Sequence, residues 1–244
     1  MTTERKLLGR VPREAIHRFE LPRLPAGVLD GFRGLAGPTG SVSDALDELG
    51  LPGAIPASVL APLTPGAKIV GPALTVRNVA HELAPHRAAR EKANGQGEGE
   101  AHNLAQPGDV LVIEGVPGVS NLGGLSATIG RRQGEIGAIV DGGVRDPDEA
   151  RAAGLPVWAR GVTPITGKWR LRTVAINGTV HVAGVRVEPG DLVVADEAGV
   201  CFIPFKHAEA VLAEVRRVED GDARRRADVE AGVSVPELFS RKYT

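Results

Sequence analysis

The order of apolar and polar positions along the chain alternates short apolar runs with short amphipathic segments. An amphipathic segment from Leu125 to about Gln133 ends at Gly134, and the apolar run Ile136–Val140 follows almost at once. A second short helical pattern, 146–154, then precedes an apolar run at Pro156–Ala159. Helix, strand, helix, strand in this rhythm predicts an α/β layer with partly parallel strands.

The helix ends in this region carry recognisable signals. Gly134 and Gly154 follow the last periodic residues, as glycines do at helix C-termini. Asp146 is placed as an N-cap, and Pro147 fits the first helical position.

Outside this region the pattern predicts helices at both ends and strands between them. We expect a helix over Ser41–Gly50 with Ser41 or Ser43 as its N-cap, and a helix within 205–232. The β-branched residues around Gly71-Pro72 predict two strands or one bent strand. Asn177-Gly178 is a hairpin-turn signal between two further strands.

A Pro-Gly-Asp turn leading into an apolar strand occurs twice, at Pro107–Gly115 and Pro189–Gly199. The repeat is explained either by duplication of a strand unit or by the same local turn sequence arising independently at two places, and the sequence leaves both explanations open.

The segment His81–Gln106 is polar and contains glycines near its middle, which favours a helix-containing excursion with a mobile tip, such as a lid. It carries His81, His86 and His102. Three histidines in one lid are compatible with ligands or proton carriers, but the pattern favours unrelated, solvent-exposed side chains.

Composition narrows the class of protein. Of the 244 residues, 42% are hydrophobic and 24% charged, which is typical of a globular chain, and the formal net charge is −1. Nucleic acid and anionic membranes are therefore not expected as obligate partners. The single cysteine, Cys201, excludes an intramolecular disulfide and a cysteine-rich zinc site. With no signal peptide and no apolar run long enough to span a bilayer, we expect a cytoplasmic protein.

The candidate chemistry lies where the run Ile136–Val140 ends in Asp-Gly-Gly-Val-Arg-Asp. The glycines are expected to let the backbone turn tightly, and Arg145 and Asp146 emerge at the end of a strand, where ligand crevices open in α/β layers. Arg145 suits a carboxylate or keto oxygen, and Asp146 with waters suits Mg²⁺ or Mn²⁺. The helix start at Gly123-Gly124 offers free N–H groups for a carboxylate. The alternative is that Asp146 only caps its helix and Arg145 forms a surface ion pair.

Several motifs together resemble one known family. "GDVLVIEG", "GGLSATIGRRQGEIGAIVDGGVRD", "GLPVWARGVTP" and "PGDLVVADEAGV" are similar to the family of 4-hydroxy-4-methyl-2-oxoglutarate aldolase, which also includes the regulator of ribonuclease activity A. The resemblance extends from "VSDALD" to the C-terminal helix. It implies an N-terminal extension over 1–40 and one domain over 41–244, with a β/β/α fold like that of phosphohistidine swivelling domains.

The resemblance also implies a site and an assembly. Arg145 would bind the keto acid and stabilise its enolate, and Asp146 would be the direct ligand of Mg²⁺ or Mn²⁺. Backbone amides around Gly123, Gly124, Leu125 and Ser126 would bind the pyruvate carboxylate. A homotrimer or hexamer would place these sites at subunit interfaces, where Glu219 or Asp222 of a neighbour would reach the metal waters.

One position departs from the family pattern. The aldolases carry an acid directly after the glycine that opens the helix, where this chain has Gly124. That acid would position a metal-bound water for proton transfer, an effect usually worth about 10²–10⁴-fold in rate. Glu114, at the end of the "VLVIEG" strand, is the candidate substitute, and decarboxylation of oxaloacetate would depend less on such a base.

The leading hypothesis is therefore a class II, metal-dependent pyruvate aldolase or oxaloacetate decarboxylase that acts on a 2-oxo diacid. The first alternative is a non-catalytic regulator that binds a protein partner, which Gly124 favours and the retained Arg-Asp pair opposes. The second is a family member with altered oxo-acid chemistry.

Overall fold

The strands of residues 6–243, the part of the chain that the computed structural model describes, form a ten-stranded mixed sheet and a separate two-stranded hairpin. The strands are Ala54–Pro56 (β1), Ala61–Pro62 (β2), Ile69–Ala80 (β3), Val110–Glu114 (β4), Ser120–Leu122 (β5), Gly137–Val144 (β6), Val157–Val162 (β7), Leu171–Ile176 (β8), Val180–Val182 (β9), Val185–Val187 (β10), Leu192–Asp196 (β11) and Gly199–Ile203 (β12). The α-helices are Ala26–Arg33 (α1), Pro38–Glu48 (α2), Pro85–Arg90 (α3), Glu98–Leu104 (α4), Gly124–Gln133 (α5), Pro147–Ala152 (α6), Ala208–Glu230 (α7) and Val235–Ser240 (α8).

The centre of the large sheet is parallel, as the helix–strand rhythm predicts. Strands β3, β4, β6 and β7 run parallel in that order, and β5 adds to β6 in the same direction. Strands β11, β12 and β1 extend the sheet beyond β3 in antiparallel fashion. The carboxyl ends of the parallel strands therefore meet at one edge.

Successive side chains of β4 point to opposite faces of the sheet and pack in different hydrophobic cores. Leu111 and Ile113 of β4 pack with residues of α4, α5 and α6, whereas Val110 and Val112 pack on the opposite face with the β9–β10 hairpin and Trp158. A third cluster buries α1, α2 and α7 against β11 and β12. Helices α4–α6 and the β9–β10 hairpin thus cover opposite faces of the parallel strands.

The predicted break at Gly71-Pro72 is one bent strand. The first half of β3 pairs with β11 and the second half with β4, so a single strand joins the antiparallel and parallel parts of the sheet. A β-carbon on Gly71 would come within 2.3 Å of the Gly108 carbonyl oxygen, which explains the glycine at the bend.

The hairpin predicted at Asn177-Gly178 is wrong. Strand β8, before it, pairs with β3, and β9, after it, pairs with β10. The actual hairpin turn is Ala183-Gly184, where both residues have positive φ (49° and 87°). Asn177 does adopt a positive φ of 52°, so the Asn-Gly signal marks a left-handed turn that joins separate pairings.

Both Pro-Gly-Asp turns have the same local geometry. The carboxylates of Asp109 and Asp191 each accept a 2.8 Å hydrogen bond from the backbone N–H three residues earlier, on Gln106 and Glu188. The intervening glycines have nearly equal φ of 93° and 94°. The two turns lead into β4 and β11, the strands that flank β3 on either side.

The chain before position 41 is packed into the same structure. Phe32 is fully buried, Ile16 bridges to Ile176, and Leu8 N–H donates to the Glu100 carboxylate. Helix α2 begins at Pro38, three residues before Ser41 and five before Ser43, and its N-cap is Gly37, so the predicted serine cap is wrong. Within residues 6–243 no helix is both long and apolar enough to cross a membrane.

Candidate functional site

The candidate site lies at the carboxyl edge of β5 and β6. These strands run parallel, with Leu122 opposite Val144, and Arg145 N–H donates a 2.9 Å hydrogen bond to the Leu122 carbonyl. Because α5 begins at Gly124, two residues after Leu122, its first turn lies beside Arg145 and Asp146. The structure therefore brings together the two segments that the sequence analysis assigned to carboxylate and metal binding.

Gly142 and Gly143 belong to β6 and do not form a turn, which corrects the sequence expectation. A β-carbon on Gly142 would come within 2.4 Å of Asn121 Nδ2, and one on Gly143 within 2.8 Å of the Val119 carbonyl oxygen. The glycines are required because β5 and the loop before it approach the backbone of β6 closely.

Arg145 and Asp146 contact each other. Arg145 Nε donates a 2.9 Å hydrogen bond to Asp146 Oδ2, and the two side chains are 43% and 39% exposed. Asp146 occupies the N-cap position of α6, but its side chain makes no capping hydrogen bond to that helix, all of which the structure describes. The capping alternative is therefore wrong, whereas the ion pair at the surface is present.

The backbone of Asp146 is strained. Its φ of 58° and ψ of 52° place a non-glycine residue in the left-handed region. Residues held in such conformations cluster at functional sites, because the surrounding structure must compensate for the strain. The conformation directs the Asp146 carboxylate toward Arg145 instead of toward the first N–H groups of α6.

The first turn of α5 leaves three backbone N–H groups without a partner inside the helix. Helix α5 spans the predicted residues, and Gly134 ends it with a φ of 97°. Its first helical hydrogen bond is donated by Ala127 N–H to the Gly123 carbonyl at 3.0 Å. The N–H groups of Gly124, Leu125 and Ser126 precede that bond and have no partner within the helix. The glycine at the N-cap supplies no side chain to satisfy them.

Glu149, which sequence reasoning missed, lies over Gly124. A β-carbon on Gly124 would come within 2.2 Å of Glu149 Oε2 and 2.4 Å of Glu149 Cβ. A carboxylate from α6 thus occupies the space that a side chain at position 124 would need. The available signal was the spacing, since Glu149 follows Asp146 by three residues and lies about one helical turn further along α6.

His102 is buried, which contradicts the expectation of a solvent-exposed histidine. Its ring is 1% exposed, with Nδ1 2.7 Å from Glu135 Oε1 and Nε2 2.8 Å from Ser126 Oγ. Ser126 is half-buried on the first turn of α5. The half of the polar excursion that forms α4 is therefore a packed element and not a mobile lid, whereas His86 on α3 is exposed.

Glu114 lies on the other face of the sheet. It follows Val110 and Val112 on the face covered by the β9–β10 hairpin, and its carboxylate accepts from Arg77 Nε at 3.1 Å and from His181 N–H at 2.8 Å. These partners hold Glu114 away from α5, and the structure does not bring it into contact with Arg145.

The two candidate acids of the C-terminal helix are on α7, which packs against α1 and α2. Glu219 is half-buried and accepts a hydrogen bond from Ser41 Oγ, whereas Asp222 is exposed. Within one chain neither is joined to Asp146, so their role toward a neighbouring subunit stays a prediction.

Two further observations limit the chemistry that the described residues support. Among residues 6–243 no three His, Cys, Asp or Glu side chains form a cluster suited to holding a metal ion. Burial, with a smaller effect of Asp196, raises the pKa of the Cys201 thiol to about 12, so this thiol is not a nucleophile at neutral pH.

Comparison with known proteins identifies the family to which the chain is similar. The RraA-like family profile, described as Aldolase/RraA, matches residues 39–202. A Halalkalibacterium halodurans protein, provisionally named 4-hydroxy-4-methyl-2-oxoglutarate aldolase, is 34% identical over 194 residues, which cover 78% of this chain and 84% of that protein.

Two solved structures share the fold. An uncharacterised protein from Pseudomonas syringae pv. tomato has a TM-score of 0.75 and 26% identity, over 91% of this chain and 97% of that chain. Streptomyces coelicolor RraAS2, described as an unusual member of the RNase ES inhibitor RraA protein family, has a TM-score of 0.71 and 27% identity, over 85% and 99%. With the family profile matching residues 39–202, this chain belongs to the RraA-like (Aldolase/RraA) family.

Proposed function

We propose that this protein is a divalent-metal-dependent carbon–carbon lyase that acts on a 2-oxo diacid through a pyruvate enolate. Its substrates would be 4-hydroxy-4-methyl-2-oxoglutarate, oxaloacetate or both. The observation that carries the proposal is the Arg145–Asp146 ion pair, with Asp146 in the left-handed backbone region, beside the α5 N–H groups that have no partner within the helix. Aldolase-named relatives such as the Halalkalibacterium protein support the same reaction class.

The donor set fits Mg²⁺ or Mn²⁺ held largely by water. Asp146 offers a hard carboxylate oxygen on an exposed side chain, and Oδ1 is not used by the Arg145 hydrogen bond. A single carboxylate with several waters is a normal way to hold either ion. When bound there, the ion would act as a Lewis acid toward the 2-oxo oxygen.

The chain's own residues would bind and polarise the substrate. N–H groups of Gly124, Leu125 and Ser126 would bind the carboxylate next to the oxo group, since the N-terminus of a helix attracts anions. Arg145 would donate to the 2-oxo oxygen. When the bond between C3 and C4 breaks, its electron pair enters the enolate, and the guanidinium of Arg145 would stabilise the developing negative charge.

A homotrimer or hexamer with sites at subunit interfaces would complete this site. Exposed apolar side chains on the elements flanking it support such an interface: Leu125, Ile129, Val162 and Ile165. A neighbour's α7 would then supply Glu219 or Asp222 to the metal waters. The phosphohistidine swivelling-domain class belongs to the same proposal, and the mixed sheet with helices on one face is compatible with it.

The proton chemistry separates the two substrates. Retro-aldol cleavage requires a base for the C4 hydroxyl, whereas oxaloacetate loses CO₂ without one. Glu114, the base predicted from the sequence, lies on the opposite face of the sheet, whereas Glu149 beside Gly124 is a carboxylate next to the site. If neither accepts the hydroxyl proton, decarboxylation would be the faster of the two reactions.

A non-catalytic regulator that binds a protein partner is the second candidate, favoured by the likeness to RraAS2. A third is a relative with altered chemistry on an oxo acid. A regulator requires no metal ligand, so Mg²⁺- or Mn²⁺-dependent turnover distinguishes it from the lyase.

The test is pyruvate release from 4-hydroxy-4-methyl-2-oxoglutarate and from oxaloacetate, with Mg²⁺, with Mn²⁺ and with chelator. Asp146→Ala is compared with Asp148→Ala, which removes an exposed acid on the same short helix. We expect metal-dependent release that Asp146→Ala abolishes and Asp148→Ala retains. Release in the presence of chelator, or equal activity of the two variants, would exclude the proposed metal site, and no release from either substrate would exclude the lyase.

A further inference from the structure

Ser126, His102 and Glu135 form one hydrogen-bonded chain drawn from three segments of the fold. His102 lies on α4, Ser126 on the first turn of α5, and Glu135 just after α5 ends. The imidazole bridges the other two, with Nδ1 2.7 Å from Glu135 Oε1 and Nε2 2.8 Å from Ser126 Oγ. Both distances are those of strong hydrogen bonds.

Burial of Glu135, at the inner end of this hydrogen-bonded series, costs the folded protein free energy. Glu135 is 0% exposed, and its second oxygen, Oε2, is buried without a hydrogen-bond partner among the residues that the structure describes. Gly130 accommodates it, because a β-carbon there would come within 2.3 Å of Oε2. Burying a carboxylate beside a histidine rarely stabilises a protein relative to apolar side chains of similar volume. The arrangement therefore calls for an explanation other than stability.

The outer end of the hydrogen-bonded series is Ser126, on the first turn of α5. Ser126 is half-buried, and its own N–H is one of the three at the start of α5 that have no partner within the helix. Its hydroxyl is hydrogen-bonded to His102, and its backbone belongs to the helix start where the proposed function puts a substrate carboxylate.

The protonation of His102 decides what Ser126 offers to a ligand. When His102 carries one proton, on Nδ1 toward Glu135, its Nε2 accepts the Ser126 O–H and the hydroxyl presents only lone pairs outward. When His102 takes up a second proton, Nε2–H donates to Ser126 Oγ, and the hydroxyl hydrogen is free to donate to a carboxylate. One proton enters from solvent, and no heavy atom has to move.

We propose that Ser126 is a substrate-binding hydroxyl, and that His102 and Glu135 are positioning residues that couple binding of the 2-oxo acid carboxylate to uptake of one proton. This inference rests on the proposed function only for the location of the carboxylate. It assigns to the site a pH-dependent affinity that the Arg145–Asp146 pair does not explain.

Three other charged groups lie near parts of this hydrogen-bonded series: one interacts with His102, one contacts Glu135, and one lies at Gly124. Glu98 lies one turn earlier on α4; its pKa is raised chiefly by burial, against the opposing attraction of His102 and Arg10. From α5, Arg131 approaches the backbone carbonyl of Glu135 at 3.4 Å. Glu149 lies beyond Gly124 on the side of α6. Since the pKa of Glu98 is itself raised by burial, the test compares variants instead of relying on one pH profile.

The experiment is calorimetric titration with pyruvate at saturating Mg²⁺ between pH 6 and 9, in buffers of different ionisation enthalpy. We expect the affinity of the wild type for pyruvate to fall by up to about tenfold per pH unit over the part of this range in which binding takes up a proton, with uptake of up to one proton per pyruvate. Ser126→Ala should bind about 10–100-fold more weakly at pH 6 and lose this pH dependence.

Two variants separate the positioning role from packing. In His102→Gln the side-chain amide retains a donor for Ser126 but does not titrate, so pyruvate should bind with no proton uptake. Glu135→Gln removes the carboxylate that favours the imidazolium and should shift the pH dependence of pyruvate binding to lower pH. Thr128→Ala is the matched control, because Thr128 lies two residues further along α5 and donates its hydroxyl to the Gly124 carbonyl.

The outcomes distinguish this inference from the proposed function. Pyruvate binding with the same pH dependence and proton uptake in wild type and Ser126→Ala would overturn the inference while leaving the lyase standing. The absence of pyruvate binding to the wild type at any pH would overturn both. A loss of pH dependence in Ser126→Ala and His102→Gln, but not in Thr128→Ala, would support the coupling.

Discussion

Glu149 occupies the space above Gly124, with Oε2 and Cβ 2.2 and 2.4 Å from the point where a β-carbon of residue 124 would lie. The relationship leaves no room for a side chain at position 124, where the resemblance to the family's aldolases implies an acid. Helices α5 and α6 pack so closely there that one side chain fills the space and the other residue must be glycine.

This packing predicts a specific pattern of stability. Gly124→Ala should lower the free energy of unfolding by about 1–3 kcal/mol, because overpacking forces α5 and α6 apart. Adding Glu149→Ala should restore only part of the loss, since the β-carbon at position 149 remains in the way. Glu149→Gly should relieve the clash, so that alanine at position 124 costs little in that background.

Urea denaturation of the single and double variants measures these differences. The cost of Gly124→Ala is taken in each background, against the matching protein that keeps glycine at position 124. An equal cost of Gly124→Ala in the Glu149→Ala and Glu149→Gly backgrounds would rule out the β-carbon contact.

The left-handed backbone of Asp146 predicts how well position 146 tolerates different substitutions. With φ at 58°, glycine should be better tolerated than alanine, so Asp146→Gly should be about 1 kcal/mol more stable than Asp146→Ala. Both variants should lose metal-dependent pyruvate release. Thermal unfolding and the release assay together test this, and an Asp146→Ala protein as stable as Asp146→Gly would show that the strain is absent.

Burial of Cys201 predicts an unreactive thiol. Because its pKa is raised to about 12, the thiolate fraction is negligible at pH 8, and the native protein should resist iodoacetamide under conditions in which the urea-unfolded chain is alkylated. Mass spectrometry before and after unfolding measures this. Native alkylation at the unfolded rate would mean that β12 opens readily.

The raised pKa of Glu98 predicts how stability depends on pH. Burial favours the neutral carboxyl in the folded chain, so the folded pKa lies above the unfolded value of about 4.3. The protein loses the corresponding stability as the pH rises from that value through the folded pKa. Glu98→Gln should therefore gain stability relative to the wild type at pH 8 but not at pH 4. Glu209→Gln, on the exposed first turn of α7, is the control, and an equal gain for Glu98→Gln at both pH values would contradict the burial effect.

Local signals predicted the elements around the site because short-range rules govern them. Helix α5 ends at the predicted Gly134, α6 has the predicted proline in its first turn, and the apolar run at Ile136–Val140 belongs to β6. The family was also identified from the motif that ends in Arg145-Asp146, and the profile match confirms it. The predicted roles of Arg145, Asp146, Glu219 and Asp222 stay predictions until activity and assembly are measured.

Long-range contacts explain why three predictions made from the sequence were wrong. Asn177-Gly178 has the composition of a hairpin turn, yet β8 forms its long-range pairing with β3, and the sequence does not encode that choice locally. The glycines of β6 resemble a turn in sequence but are required by the approach of Asn121 and Val119. His102 lies in a polar segment, and only the packing of α4 against α5 buries it.

The sequence by itself determined the α/β rhythm, the helix ends and the Arg-Asp motif at a strand end, because periodicity and capping act over a few residues. Only the tertiary structure decided that Glu149 fills the space at Gly124, that Glu114 faces away from α5, and that His102 joins Glu135 to Ser126. The physical reason is that these relationships join residues 24 or more positions apart, and their distances depend on how the helices and the hairpin pack on opposite faces of the sheet.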